Sequence, residues 1–156
     1  MIIRKLVQTI VALLLLLAST PAFASNSTLN EPKAPCRLQV GIAHLSTDLY
    51  EKLRIRAVKV NASSICNVAQ ANVTITVEIW KTGMLGNHLV RARTIRSPGT
   101  TFPGSRVNNF STYSNCRDKA PTNYFGVAYS KALIDGKWQY ARHILSKKII
   151  LLKCGT

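Results

Sequence analysis

The arginines most able to do chemistry come in pairs two residues apart, Arg54 with Arg56 and Arg91 with Arg93, and Lys147-Lys148 follows towards the end of the chain. On a β-strand, residues two apart point to the same face, so each pair offers two guanidinium forks to one surface. A planar fork donates two parallel hydrogen bonds to a phosphate or carboxylate, which suits such a pair to anion binding. Taken singly, each pair also reads as an ordinary solvated strand face. Trp80, on the polar side of its strand by alternation, and Tyr113 add rings that can stack on sugars or bases. The expected site is therefore a binding surface of Arg54, Arg56, Arg91, Arg93, Trp80, Lys147 and Lys148. Its expected partner is an anionic polymer or a cell-envelope surface.

Catalysis finds less support. A nucleophile needs a base within reach and a third group to orient that base. The chain offers His44, His88 and His143, but no Gly-x-Ser-x-Gly elbow, and its six acids (Glu31, Asp48, Glu51, Glu78, Asp118 and Asp135) are scattered. The enzyme class that best fits the charge is a small basic nuclease, with His143 beside Arg142 and His88 near Arg91. Partly exposed strand histidines beside solubilising arginines explain the same residues. The expectation is a protein that is not an enzyme and that uses no cofactor.

The cysteines, Cys36, Cys66, Cys116 and Cys154, are even in number and spaced too widely for the paired knuckles of a zinc site. Two disulfides are expected, and no metal. Cys116 and Cys154 fall nearly symmetrically about Gly136, and Cys36 and Cys66 about a turn near Tyr50, which favours the pairings Cys36–Cys66 and Cys116–Cys154. In the chain-entropy account each such bridge contributes roughly 3 to 4 kcal/mol.

Bridges of this kind belong to an oxidising compartment, and the chain opens accordingly. Arg4 and Lys5 precede an apolar run from Leu6 to Ala18, and Ala22-Phe23-Ala24 supplies the small residues of a cleavage site. Residues 1–24 read as a cleaved signal peptide, 25–35 as a loose arm containing Pro32 and Pro35, and 36–156 as a single β-sandwich domain. The apolar run is too short for a comfortable membrane span, so the mature form is expected outside the cytoplasm, secreted or periplasmic, without a span. The net charge is +15, two charges of which sit on Arg4 and Lys5. Such an excess attracts polyanions, which also admits a secreted antimicrobial or effector protein acting on another cell's envelope, though solubility alone is a sufficient use for it.

The elements that must position these groups are strands. Tyr124 to Cys154 reads as a long hairpin turning at Asp135-Gly136, because Asp-Gly supplies the left-handed dihedrals of a type I′ turn. That register sets Leu133 opposite Trp138, Tyr129 opposite Arg142 and Val127 opposite Ile144. One face is bulky (Phe125, Val127, Tyr129, Leu133, Trp138, Tyr140, Ile144) and the other small (Gly126, Ala128, Ser130, Ala132); the bulky face is expected to form the core. Strands are also expected at Cys36–Ala43, from Lys52 to Val60 with a bulge near Ala57-Val58 or burial on both faces at its far end, at Asn72–Trp80 with Val73, Ile75, Val77 and Ile79 inward, at Leu89–Arg96, and at Arg106–Tyr113. Ser46–Glu51 is expected as a connection with a helical turn, and Ser97–Ser105 and Asn115–Asn123 as loops.

Short strands with frequent turn signals point to an all-β fold, an antiparallel two-sheet sandwich with two disulfides, immunoglobulin-like or Greek key, with a closed barrel as the competing arrangement. The spacing of strands and cysteines resembles that of immunoglobulin-like domains, but Trp80 lies on a polar face rather than buried against a bridge.

Overall fold

Asp135 and Gly136 adopt φ values of 49° and 72°, the left-handed pair a type I′ turn requires. In the computed structural model, which describes residues 35–156, this turn joins β9 (Asp118–Ile134) to β10 (Lys137–Leu145) and sets Leu133 opposite Trp138, as its chemistry dictates. The expected signal peptide, and all of the arm except Pro35, lie outside the described residues.

Further from the turn the expected register fails. A bulge between Ala141 and Ile144 adds a residue to β10, so Ile144 pairs with Ala128 and Leu145 with Val127. An extra residue swaps the faces of everything beyond it, and Ile144 turns inward to pack on the core. The chain breaks at Ser146, whose hydroxyl accepts from Gly126 N at 3.0 Å, and resumes as β11 (Ile150–Gly155) along the same edge of β9.

The other neighbour of β9 is β5 (Gln70–Gly83), which pairs in turn with β6 (Gly86–Thr101). Alternation on β5 is as expected: Val73, Ile75, Val77 and Ile79 are wholly buried. β6 outruns its expected end and takes in Pro98-Gly99, which sit where the register shifts on a strand with an unpaired outer edge, so proline's missing N–H is tolerated. The segment Asp118–Asn123, expected as loop, is the first part of β9.

The second layer is built from three broken ribbons. β1 (Cys36–Val40), β4 (Ala62–Cys66) and β7 (Arg106–Asn109) form one part, and β2 (His44–Leu45), β3 (Ala57–Lys59) and β8 (Tyr113–Asn115) continue them. Gly41 N donating to Asn61 O and Val60 N to Thr112 O stitch the breaks. Between β2 and β3 runs α1 (Thr47–Leu53), capped by the Ser46 hydroxyl, which accepts from Leu49 N, and ended by Arg54 in a left-handed conformation (φ 57°). The expected strand from Lys52 is thus corrected: alternation over so few residues also fits a helical turn, and the Ser46 cap with the Asp48–Lys52 pair favours helix. Burial on both faces at its far end holds, since Ala57, Val58 and Val60 are all fully buried.

Counting each broken ribbon as one strand, the first, second and fifth form one layer and the fourth, third, sixth and seventh the other, with every pairing antiparallel. This is a Greek-key sandwich of immunoglobulin type; relative to the constant-type arrangement, the fourth strand has moved beside the third. The bridges are Cys36–Cys66, between the first two strands, and Cys116–Cys154, at the open end of the ribbon.

The core lies on the face opposite to the expected one. Ile75, Val77 and Ile79 pair with Ser130, Ala128 and Gly126, so the small side of β9 faces the second layer. Of the residues expected to form the core, only Ile144 turns inward, by way of the bulge. Phe125, Val127, Tyr129, Leu133, Trp138 and Tyr140 lie on the outer face, but Phe125 and Val127 are buried there as expected, Phe125 stacked under Trp80 at 6.3 Å between ring centroids. The second layer and β5 already supply the bulk, and small residues on β9 let the layers close.

A cationic, aromatic trough as candidate functional site

The inverted ribbon leaves its large side chains on the outer face of the larger sheet. Direct pairing sets Thr76 beside Tyr129 and Thr74 beside both Lys131 and Arg96, so three strands contribute to one surface. β10 completes it. The bulge places Arg142 and His143 where a regular strand would have one residue, and the His143 ring settles against Tyr129 at 4.9 Å, tilted by 55°. Lys131 Nζ stands 5.0 Å from the centroid of the Trp138 ring, a cation–π contact.

Between these groups runs a shallow trough of about 660 Å³, lined by Thr74, Thr76, Tyr129, Ser130, Lys131, Tyr140, Ala141, Arg142 and His143. A hollow of about 300 Å³ extends it past Thr74 and Lys131 to Arg96 and Trp138. Among the described residues, no aspartate or glutamate lines either one. Glu78, on the same strand face as Thr76, accepts from Trp80 Nε1 at 2.7 Å. Cations with stacking rings and no opposing carboxylate suit an anionic ligand with flat or cyclic units. The Thr74 hydroxyl on the floor can donate to its oxygens or accept from its hydroxyls, while that of Thr76 is already paired with Thr94 Oγ1 at 2.8 Å.

The chain matches no protein-family model, and no curated protein is similar to it in sequence.

The residues singled out from sequence are dispersed. Arg54 caps α1 with its guanidinium 5.8 Å from the Tyr50 ring, and Arg56, in the loop before β3, donates through Nη2 to Lys153 O on β11. Neither is on a strand, so they do not form a same-face pair. Arg91 and Arg93 do share a face of β6, opposite Ile79 and Val77, but β6 and β11 lie at opposite edges of the larger sheet. The four arginines therefore do not meet. Lys147 and Lys148 are exposed between β10 and β11. Trp80 faces outward, as alternation predicted, on the same face as the trough.

The histidines do not converge either: His88 is on β6 and His143 on β10, the two outer strands of the sheet, while His44 Nδ1 lies 3.1 Å from Ile42 O. Among the described residues no three His, Cys, Asp or Glu side chains gather as a metal site would require. Sequence reasoning missed Lys131, Tyr129, Tyr140 and Arg142 because it assigned their face to the core. A cue was present: Lys131 is in phase with Tyr129 and Leu133, and a charged residue in phase with bulky ones marks a solvent face.

Proposed function

We propose that this protein is an extracytoplasmic binding module that holds an anionic polymer in the trough on its outer sheet face. The observation that carries the reading is the placement of Lys131, Arg142 and Arg96 around Tyr129, Tyr140 and Trp138 with no carboxylate in the lining. The rings offer stacking surface for sugars or bases, and the cations neutralise phosphate, sulfate or carboxylate groups along the polymer. The net charge of +15, all but the two charges of Arg4 and Lys5 lying beyond the expected signal peptide, adds a long-range attraction that speeds encounter, and the two disulfides fit an oxidising compartment. The binding determinants move from Arg54, Arg56, Arg91 and Arg93 to the trough, while the anionic class of partner stays.

Retention on immobilised heparin and on single-stranded oligonucleotide, as a function of salt, tests this. Lys131→Ala with Arg142→Ala is expected to lower retention on at least one of them, while Arg54→Ala with Arg93→Ala has a smaller effect. Binding insensitive to salt, or undiminished by loss of Lys131 and Arg142, would refute the reading.

A further inference from the structure

The two hairpin turns of the larger sheet are opposites in chemistry. One is Asp135-Gly136, polar and small. The other, at the opposite end of the sheet, is Met84-Leu85, with both side chains fully exposed between Gly83 and Gly86. Gly86 takes the positive φ of 117°, so backbone geometry does not explain large apolar residues at the tip. Leaving two such side chains in water is unfavourable, and a surface that removes them would bind there.

What surrounds the tip indicates which surface. Thr82 pairs with Asn123, so the first residues of β9, including Lys119, run alongside the turn, and Lys153 of β11 pairs with Pro121 at the same level. Lys81 and His88 pair just behind it, the Lys81 ammonium donating to Thr156 O. The acid at this end, Asp118, is engaged by Ala120 N at 2.7 Å. An apolar point inside a cationic collar matches the interface of an anionic bilayer, where apolar side chains enter the acyl boundary and lysines reach headgroup phosphates. An apolar protein groove would satisfy Met84 and Leu85 but gives no account of the collar.

We propose that the Met84-Leu85 turn is a membrane-docking tip that enters the interface of an anionic lipid bilayer, held there by the exposed Lys119 and Lys153. The docking is peripheral; among the described residues no helix is long and apolar enough to cross a membrane.

Sedimentation of the oxidised protein with vesicles provides the test. Binding is expected to phosphatidylcholine vesicles containing phosphatidylglycerol and not to phosphatidylcholine alone. Met84→Asp with Leu85→Asp is expected to weaken it by about tenfold or more, and Lys119→Ala with Lys153→Ala to weaken it and reduce its salt dependence. Both sites are exposed, so an unchanged melting temperature verifies that the variants fold. The tip variant keeps its salt-sensitive retention on heparin, which separates failure of this proposal from failure of the trough. Equal binding to both vesicle types, undiminished binding by the tip variant, or a concentration-dependent dimer abolished by it would overturn the proposal.

Discussion

A Cβ atom on Gly126 would lie 2.5 Å from Cγ1 of Val60 and 3.3 Å from Cγ2 of Val40. Val60 belongs to the ribbon of β3 and β4, so this contact spans the two layers and leaves no room between them for a side chain at residue 126. It explains why the small side of β9 faces inward: with β5 filling the core with Val73, Ile75, Val77 and Ile79, the neighbouring strand has room for little else.

Gly126→Ala is therefore expected to destabilise by overpacking, by roughly 1–3 kcal/mol, and to lower the melting temperature by several degrees. Val60 is β-branched and held to one rotamer, so it cannot swing aside cheaply. Adding Val60→Ala makes room, and the double variant is expected to be more stable than the sum of the two single losses. Strict additivity in denaturant unfolding would show that the contact does not set the spacing of the layers.

Asn109 is the polar hub of the core. Fully buried on β7, its Nδ2 donates to Ile75 O at 3.2 Å and Arg93 O at 3.0 Å, while Oδ1 accepts from Ser111 N, Ser111 Oγ and Thr112 Oγ1. Asn109→Ala is expected to cost about 1–3 kcal/mol for each buried group left without a partner. Asn109→Asp is expected to cost at least as much, because a carboxylate would face two carbonyl oxygens. An aspartate variant with an unaltered urea midpoint would contradict the assigned hydrogen bonds.

The Cys116–Cys154 bridge closes the open end of the ribbon, and the Tyr124 hydroxyl, buried beside it, donates to Cys154 O at 2.6 Å. Bridging residues 38 apart in sequence is expected to contribute roughly 3–4 kcal/mol through the unfolded chain. Cys116→Ser with Cys154→Ser should lose about that much. Tyr124→Phe should lose roughly 1–2 kcal/mol by stranding the carbonyl. If the phenylalanine variant unfolds at the wild-type denaturant concentration, the hydroxyl has no structural part in holding the end of β11.

In the trough, Lys131 and Arg142 are exposed, so replacing them should change stability by no more than about 0.5 kcal/mol in either direction. Their effect is expected in binding. Charge reversal, Lys131→Glu, should weaken polyanion binding more than Lys131→Ala. Each cation that contacts a phosphate should lower the slope of log affinity against log salt by nearly one. A slope identical to wild type in both variants would place the bound polymer elsewhere.

Much of the fold follows from local chemistry alone. Asp-Gly fixes a turn type, so Leu133 meets Trp138 whatever the rest of the chain does, and the near-symmetric placing of cysteines about that turn brings Cys116 to Cys154. Strict alternation over Val73 to Ile79 defines a strand and its inward side, because both neighbours and both faces agree.

Which face of the ribbon is buried was settled only by tertiary packing. Period two separates two faces without saying which meets the other layer, and bulk is a poor guide where the partner already supplies it; the closeness of Val60 to Gly126 excluded the large side chains. The bulge at Ala141 and Ile144 leaves no local mark, since one extra residue on an edge strand disturbs no composition, yet it turns Ile144 inward and brings His143 against Tyr129. The candidate site is made by strands distant in sequence, and so the chain could present its cations and rings but not their meeting. Sequence determined the strands, the turn and the sulfur pairs because those depend on neighbours along the chain. The three-dimensional structure decided the exposed face and the trough, because those depend on the volume left between two layers.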